Sequence, residues 1–184
     1  MQTKSKVAVL LTCAALLGSG AASAESFLTW LITVTRTKGV QPVTNKTYQE
    51  ECGACHFAYQ PGLLPAKSWE KLLDAQALSD HFGDNAELDD ETLKEVRDYA
   101  VQNASGTSYF KLADKVNRAT ATGEAPLRIS QVRFIKRKHH EIPEKMIKGN
   151  PDVKSLSNCS ACHTKAKEGW YDPDTVSIPN YPRH

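Results

Sequence analysis

The sequence predicts a mainly α-helical protein built from two small domains. Three observations support this fold class: apolar residues recur at helical spacing, a Cys-x-x-Cys-His motif occurs twice, and a small polar stretch lies between the two copies. With 40% hydrophobic and 24% charged residues, the 184-residue chain has the composition of a folded globular protein.

The first 24 residues are typical of a secretory leader. Lys4 and Lys6 precede the apolar run Val7–Leu17, and Ala22-Ser23-Ala24 is a small-residue cleavage site. The apolar run is shorter than the roughly 20 residues of a membrane-spanning helix. We therefore expect export to the periplasm, with cleavage before Glu25.

The segment around the first motif predicts one helix, one loop and a second helix. The apolar run Phe27–Val34 is expected to be a strand or a segment that covers the core. Asn45 or Thr47 can cap a helix that leads into the first motif. An extended loop, Pro61–Pro65, follows, and then a helix from Ala66 to about Asp80. One apolar stripe of this second helix comprises Trp69, Leu72, Leu73, Gln76 and Ala77.

Two further helices are predicted before the second motif. One starts near Asp89 or Asp90 and ends before Gly106, because Leu93, Val96 and Ala100 are apolar at helical spacing. Ser130 can cap the other, which runs from Gln131 to about Glu141 and is stopped by Pro143.

A domain border is expected between these two helices. The stretch Ala119–Pro126 is small and polar and contains Gly and Pro, which places the border near Gly123. The predicted organisation is a signal peptide at residues 1–24, an N-terminal domain at residues 25–123 and a C-terminal domain at residues 124–184.

The cysteines indicate the chemistry of both domains. One of the five, Cys13, leaves with the leader, and the other four form the two motifs Cys52-Gly53-Ala54-Cys55-His56 and Cys159-Ser160-Ala161-Cys162-His163. Two cysteines at this spacing can each add to one vinyl group of a porphyrin, and the following histidine then lies under the iron. A redox dithiol, a four-cysteine zinc site or disulfides would leave both histidines unexplained. The motifs therefore predict two covalently attached haem c groups, with His56 and His163 as iron ligands.

The second axial position of each iron decides the chemistry. Because 102 residues separate His56 from Cys159 and only 21 follow His163, the second haem must take most of its covering from residues before its motif. The remaining candidates for axial ligands are His81, His139, His140, His184 and Met146.

Position along the chain ranks these candidates. His81 continues the apolar stripe of the helix that follows the first motif and is predicted to bind the first iron. His139 and His140 are about 100° apart on a helix, so only one can face the second haem. Ile135 lies four residues before His139, which favours His139, but the sequence leaves the choice open. We expect His184 to be mobile at the terminus and Met146 to be in the core.

The charges are unevenly distributed. Removal of the leader leaves 21 basic and 21 acidic residues, which disfavours a general polyanion binder. Residues 25–123 carry a net charge of −4 and residues 124–184 one of +4. The basic run beside His139 predicts steering of an acidic partner or a solvated helix face. This run comprises Arg133, Lys136, Arg137 and Lys138.

Several segments together resemble the bacterial dihaem cytochrome c family. They are ECGACHFAYQPGLLPAKSW, the later HFG, and RFIKRKHHEI ahead of NCSACH, and the likeness covers nearly the whole mature chain. The resemblance implies a first domain similar to a class I cytochrome c, a smaller and distinct second domain, and two bis-histidine haems. It implies His56 and His81 for the first haem and His139 for the second.

The resemblance also implies a function, which is electron transfer without an enzymatic activity of its own. The implied partners are a small oxygen-binding c-type haem protein or a membrane b-type cytochrome. The competing hypotheses are a haem enzyme, for example a peroxidase, and a gas-binding sensor, each of which needs one open iron position. Carbon monoxide binding to the reduced protein would distinguish them from a carrier.

Overall fold

The computed structural model describes residues 38–182, all within one compact unit of the chain. The leader, its cleavage site, the run Phe27–Val34 and His184 lie outside the described residues. Seven α-helices are present in the described part. They are α1 Lys46–Gly53, α2 Ala66–Leu72, α3 Ala75–Leu78, α4 Asp90–Gln102, α5 Lys111–Ala119, α6 Arg133–His139 and α7 Cys159–Cys162.

The described residues confirm the predicted mainly α-helical class. Between residues 38 and 182 the only β-pairings are isolated bridges, and short 3-10 helices connect several of the α-helices. These 3-10 helices are Pro61–Leu63, Ile129–Gln131, Glu144–Met146, Ala166–Glu168 and Pro173–Thr175. Within the same residues, no helix combines the length and the apolarity that a membrane crossing requires.

Helix α1 starts at the cap that the sequence predicted. The Asn45 side chain accepts a hydrogen bond from the Tyr48 backbone N–H at 2.6 Å. Its amide nitrogen also donates to a Glu95 carboxylate oxygen of α4 at 2.8 Å. Tyr48 is buried, and its ring packs against the rings of Trp69 and Tyr99. The cap and this aromatic cluster together fix the helix that carries the first motif.

The loop Pro61–Pro65 differs from the prediction. It is a buried 3-10 turn at Pro61–Leu63 rather than an extended loop. The Trp69 indole N–H donates to the Pro61 carbonyl at 2.8 Å, and the Ser105 backbone N–H donates to the Leu64 carbonyl at 2.9 Å. The Pro61 carbonyl also accepts from the Leu64 backbone N–H at 3.2 Å, so these bonds give the buried carbonyls of the turn their partners.

The predicted helix from Ala66 to Asp80 is two helices, α2 and α3. The Asp74 side chain accepts from the Gln76 backbone N–H and so caps a new helix, which competes with continuation of the first. Trp69, Leu72 and Leu73 are buried as predicted, but the break rotates the remaining stripe. Gln76 is therefore exposed, and Leu78 is buried in its place.

Helix α4 matches its prediction, whereas α5 and α6 do not. Asp89 caps α4 by accepting from two backbone N–H groups, and Val96 and Ala100 are buried. Helix α5 was not predicted, although its residues Leu112 and Val116 have helical spacing. Ser130 is not the cap of α6, because a 3-10 turn at Ile129–Gln131 delays the start of this helix to Arg133.

The core joins residues from both sides of the predicted border. Helix α4 packs against α1 and α2, and α5 packs against α6. Val132, which precedes α6, belongs to the same buried cluster as Tyr48 and Val96. Gly123 is exposed and has a positive φ of 90°. The division at Gly123 stays a prediction.

Candidate haem-binding sites

The first motif lies at the end of α1. Cys52 is within the helix, and Cys55 and His56 follow it on the exposed side. The His56 Nδ1 lies 2.8 Å from the Phe57 carbonyl oxygen. A histidine that donates from Nδ1 presents Nε2 as the free ligand atom. Local structure therefore prepares His56 to bind a metal through Nε2.

His81 faces His56 across a gap. The two ring centroids are 6.4 Å apart, and the ring planes are inclined by 23°. A metal bonded to one nitrogen of each ring at about 2 Å, as at zinc–histidine sites, separates the centroids by roughly 6.4 Å, since each centroid lies about 1.2 Å behind its nitrogen. The spacing of this pair therefore fits one metal ion between the rings.

A tight turn places His81 in this position. The His81 backbone N–H donates to the Asp84 carbonyl at 2.7 Å, and the Asp80 side chain accepts from the Gly83 backbone N–H at 3.0 Å. Partial burial and the nearby His56 lower the pKa of His81. The lowered pKa favours the neutral imidazole, which is the form that binds metals.

The second motif lies on the short helix α7. The His163 Nδ1 is buried and has no hydrogen-bond partner among the described residues. Burial, with a smaller contribution from His139, lowers the pKa of His163 to about 4. The ring centroids of His139 and His163 are 6.0 Å apart, with planes inclined by 67°. This second pair is also spaced to hold one metal ion.

His140 lies away from this pair. Its side chain is 62% exposed, with Nδ1 2.8 Å from the Arg137 carbonyl and Nε2 3.6 Å from a Glu141 carboxylate oxygen. In contrast, the His139 Nδ1 lies 2.8 Å from the Ile135 carbonyl, which leaves Nε2 as the ligand atom, and its ring lies 6.0 Å from the His163 ring. Of the two adjacent histidines, only His139 has the geometry of a ligand for the second motif.

None of the four cysteines of the motifs forms a disulfide. Burial raises the pKa of Cys52 to about 12 and that of Cys159 to about 11. Before haem attachment, the Cys52 and Cys159 thiols are therefore protonated near neutral pH. The absence of disulfides agrees with attachment of the motif cysteines to vinyl groups, which a disulfide would prevent.

A cavity of about 500 Å³ lies beside the second motif. This volume is in the range of cofactor pockets, and the walls are mostly apolar. Residues from both sides of Gly123 line it. They include Leu63, Leu112, Phe134, Ile135, Ile142, Met146, Trp170 and Tyr171, together with His139, His163, Cys159 and Cys162. The cavity thus has the two histidines, the two cysteines and the apolar surface that a porphyrin needs.

Four lysines also line this cavity, and only Lys138 among them was singled out from the sequence, as part of the basic run beside His139. They are Lys38, Lys111, Lys115 and Lys138. Lys38 lies 3.7 Å from an Asp172 carboxylate oxygen. Lysine ammonium groups can pair with the two propionates of a porphyrin. For Lys111 and Lys115, the only sequence signal was their spacing by one helical turn.

Met146 and two tyrosines complete the surroundings of the pairs. Met146 lines the cavity wall as a partly buried side chain. The Tyr59 ring lies 5.1 Å from the His56 ring, and the Tyr171 ring lies 5.1 Å from the His163 ring. Neither tyrosine was predicted, because a single tyrosine three or eight residues after a motif histidine forms no recognisable sequence pattern.

Comparison with known proteins identifies the family. The family model described as "Dihaem cytochrome c" matches residues 48–171. A diheme cytochrome c from Shewanella baltica OS155 is similar at 40% identity, with 76% of this chain and 96% of that chain covered and a TM-score of 0.61. A diheme cytochrome c from Rhodobacter sphaeroides is similar at 38% identity, with 72% and 100% covered and a TM-score of 0.63. A comparison with curated proteins found no match.

These findings confirm the resemblance seen in the sequence and the expected cofactors. The haem-based electron transfer of the family agrees with the paired motifs and the apolar cavity described above. The chain belongs to the dihaem cytochrome c family and carries two covalently bound haem c groups.

Proposed function

We propose that this protein is a periplasmic single-electron carrier whose two haem irons are each held by two histidines. His56 and His81 would bind the first iron, and His163 and His139 the second. The observation that carries the proposal is the spacing of the two ring pairs, 6.4 Å and 6.0 Å. Each spacing accommodates one iron between two imidazoles.

Two histidines at each iron would leave no position for peroxide, oxygen or carbon monoxide. The haem supplies a reversible ferric–ferrous couple, and the protein holds the ligands in place in both oxidation states. Backbone carbonyls of Phe57 and Ile135 orient His56 and His139 through Nδ1. Imidazole ligands also keep the reduction potential lower than a thioether would.

The proposal is tested by electron paramagnetic resonance of the oxidised protein and by carbon monoxide addition after reduction. The angle between two axial imidazole planes sets the anisotropy of a low-spin ferric haem. The first pair, inclined by 23°, should give a rhombic signal, and the second, inclined by 67°, a more anisotropic one. Two such signals of equal intensity and no carbon monoxide adduct are expected. A high-spin haem or a carbon monoxide adduct would instead indicate an enzyme or a gas-binding sensor.

We further propose that the redox partner is acidic where it docks. The partner would be the small oxygen-binding c-type haem protein or the membrane b-type cytochrome that the resemblance implies. In support, the basic run of α6 next to His139 is exposed. Electron transfer to such a partner should slow as salt is added, because screening weakens electrostatic steering. A rate independent of ionic strength would refute the acidic docking surface.

The periplasmic location rests on the leader at residues 1–24 and agrees with the usual export of c-type cytochromes. The test is the N-terminal sequence of the mature protein recovered from the periplasmic fraction. A mature chain that begins at Glu25 is expected. A haem-loaded chain that retains Lys4 and Lys6 would contradict the proposed cleavage.

A further inference from the structure

Tyr59 contacts both haem-binding motifs. Its ring lies 5.1 Å from the His56 ring, with the planes inclined by 32°. Its hydroxyl donates a hydrogen bond to the backbone carbonyl of Ser157, 98 residues further along the chain. The same carbonyl accepts a hydrogen bond from the Cys159 backbone N–H at 3.0 Å. Ser157 therefore joins Tyr59 to the first cysteine of the second motif.

These contacts form a short connection from one motif to the other. It runs from the His56 ring to the Tyr59 ring by contact, and from the Tyr59 hydroxyl to Cys159 through one shared carbonyl oxygen. His56 is the proposed iron ligand of the first haem, and Cys159 is an attachment point of the second. The connection thus ends on a group bonded to a haem on each side.

The neighbouring residue Gln60 holds this segment in place. Gln60 is 1% exposed, and its amide nitrogen donates to the Ala166 carbonyl. Its amide oxygen accepts from the Tyr171 hydroxyl at 2.6 Å, and the Tyr171 ring lies 5.1 Å from the His163 ring. A buried amide whose hydrogen bonds are satisfied on both sides restricts the backbone next to Tyr59. Tyr59 therefore has a fixed position relative to both motifs.

The Tyr59 hydroxyl remains protonated under ordinary conditions. Burial is the main reason that its pKa is raised, to about 12. A neutral phenol keeps its O–H as a hydrogen-bond donor across the physiological pH range.

We infer that Tyr59 is the protein link through which the two haems exchange an electron. This inference rests on the proposed function, because it uses His56 as an iron ligand. One electron passes at a time, so that one iron is oxidised as the other is reduced. No proton moves and no bond forms or breaks, and Tyr59 is not itself oxidised. Tyr59 is a positioning and coupling residue, not a catalytic one.

The test is the rate of intramolecular electron exchange in half-reduced protein. Nuclear magnetic resonance exchange spectroscopy of the haem methyl signals measures this rate, and its independence of protein concentration identifies the intramolecular part. Tyr59→Phe keeps the ring contact but removes the hydroxyl, and exchange should slow several-fold. Tyr59→Leu also removes the aromatic contact and should slow exchange further.

Tyr181→Phe is the matched control, because the Tyr181 hydroxyl also donates to a backbone carbonyl, that of Lys145, and its removal leaves the contacts of Tyr59, Gln60 and Ser157 intact. Exchange in this variant should equal that of the parent once both haem potentials are measured and the driving force is matched. Equal exchange in the parent and both Tyr59 variants would overturn the inference. Equal slowing in Tyr181→Phe would also overturn it, since the effect would then come from general loosening of the fold.

Failure of this inference and failure of the proposed function are distinguishable. The electron paramagnetic resonance spectrum of each oxidised variant reports whether both haems remain low-spin. Unchanged spectra with unchanged exchange would refute the Tyr59 link and leave the bis-histidine carrier standing. A high-spin haem in the parent would refute the bis-histidine proposal. The exchange rates of the Tyr59 variants would still show whether Tyr59 couples the two haems.

Discussion

Replacing His139 by alanine removes the ring that lies 6.0 Å from the His163 ring. If His139 binds the second iron, this change opens one axial position on one of the two haems. Half of the low-spin intensity should then be lost, and it should be the more anisotropic signal, because this pair has the 67° inclination. The signal of the first pair should not change.

The reduced His139→Ala protein should bind one molecule of carbon monoxide, and the parent none. Added imidazole should enter the space that the side chain leaves and restore the low-spin signal. Absorption spectra during a carbon monoxide titration give the stoichiometry, and spin quantification of the oxidised form gives the lost fraction.

His140→Ala is the matched control on the same helix. His140 is the next residue along α6 and is exposed, with its Nδ1 near the Arg137 carbonyl. Its removal should leave both low-spin signals unchanged and create no carbon monoxide site. The reasoning is refuted if His140→Ala opens a haem or if His139→Ala leaves both haems low-spin.

Three further changes probe the supports of the two sites. Gly169→Ala should destabilise the haem-loaded protein by about 2–5 kcal/mol in guanidinium unfolding. Gly169 has a φ of 74°, and an added Cβ would lie 2.1 Å from the Val40 carbonyl oxygen. A loss of stability below about 1 kcal/mol would contradict this. Asn45→Ala should cost about 1 kcal/mol through loss of the α1 cap, and Asn45→Ser should retain most of it. Lys115→Met should lower the potential of the second haem alone, by roughly 20–60 mV, because a cation beside the cavity favours the ferrous state. Redox titrations measure this potential, and Lys94→Met, which changes an exposed side chain of α4, is the control. An equal fall of the potential in both variants would argue against a specific role for Lys115.

Helix prediction succeeded where capping and periodicity agreed and failed where turns competed with them. Asn45 and Asp89 cap their helices as expected, because a cap is a local hydrogen bond between a side chain and nearby backbone. Asp74 interrupts the second predicted helix by the same local chemistry, which the apolar stripe concealed. The start of α6 moved to Arg133 because a 3-10 turn took the place of the expected cap.

The sequence by itself determined the class of cofactor, its number and its attachment points. These depend on the chemistry of two cysteines three positions apart and a histidine that follows the second, a local pattern that needs no fold to be recognised. It also determined His81 and the pair His139 and His140 as the candidates for the remaining iron positions, because so few other histidines exist.

Only the tertiary structure decided which side chains meet. The phase of α6, set by packing of Phe134 and Ile135 against the core, places the ring of His139 and not that of His140 opposite His163. The lysines of the cavity and the connection from Tyr59 to Ser157 join residues far apart in the chain. Such contacts arise from packing between distant segments, for which a single sequence has no periodic or motif signal.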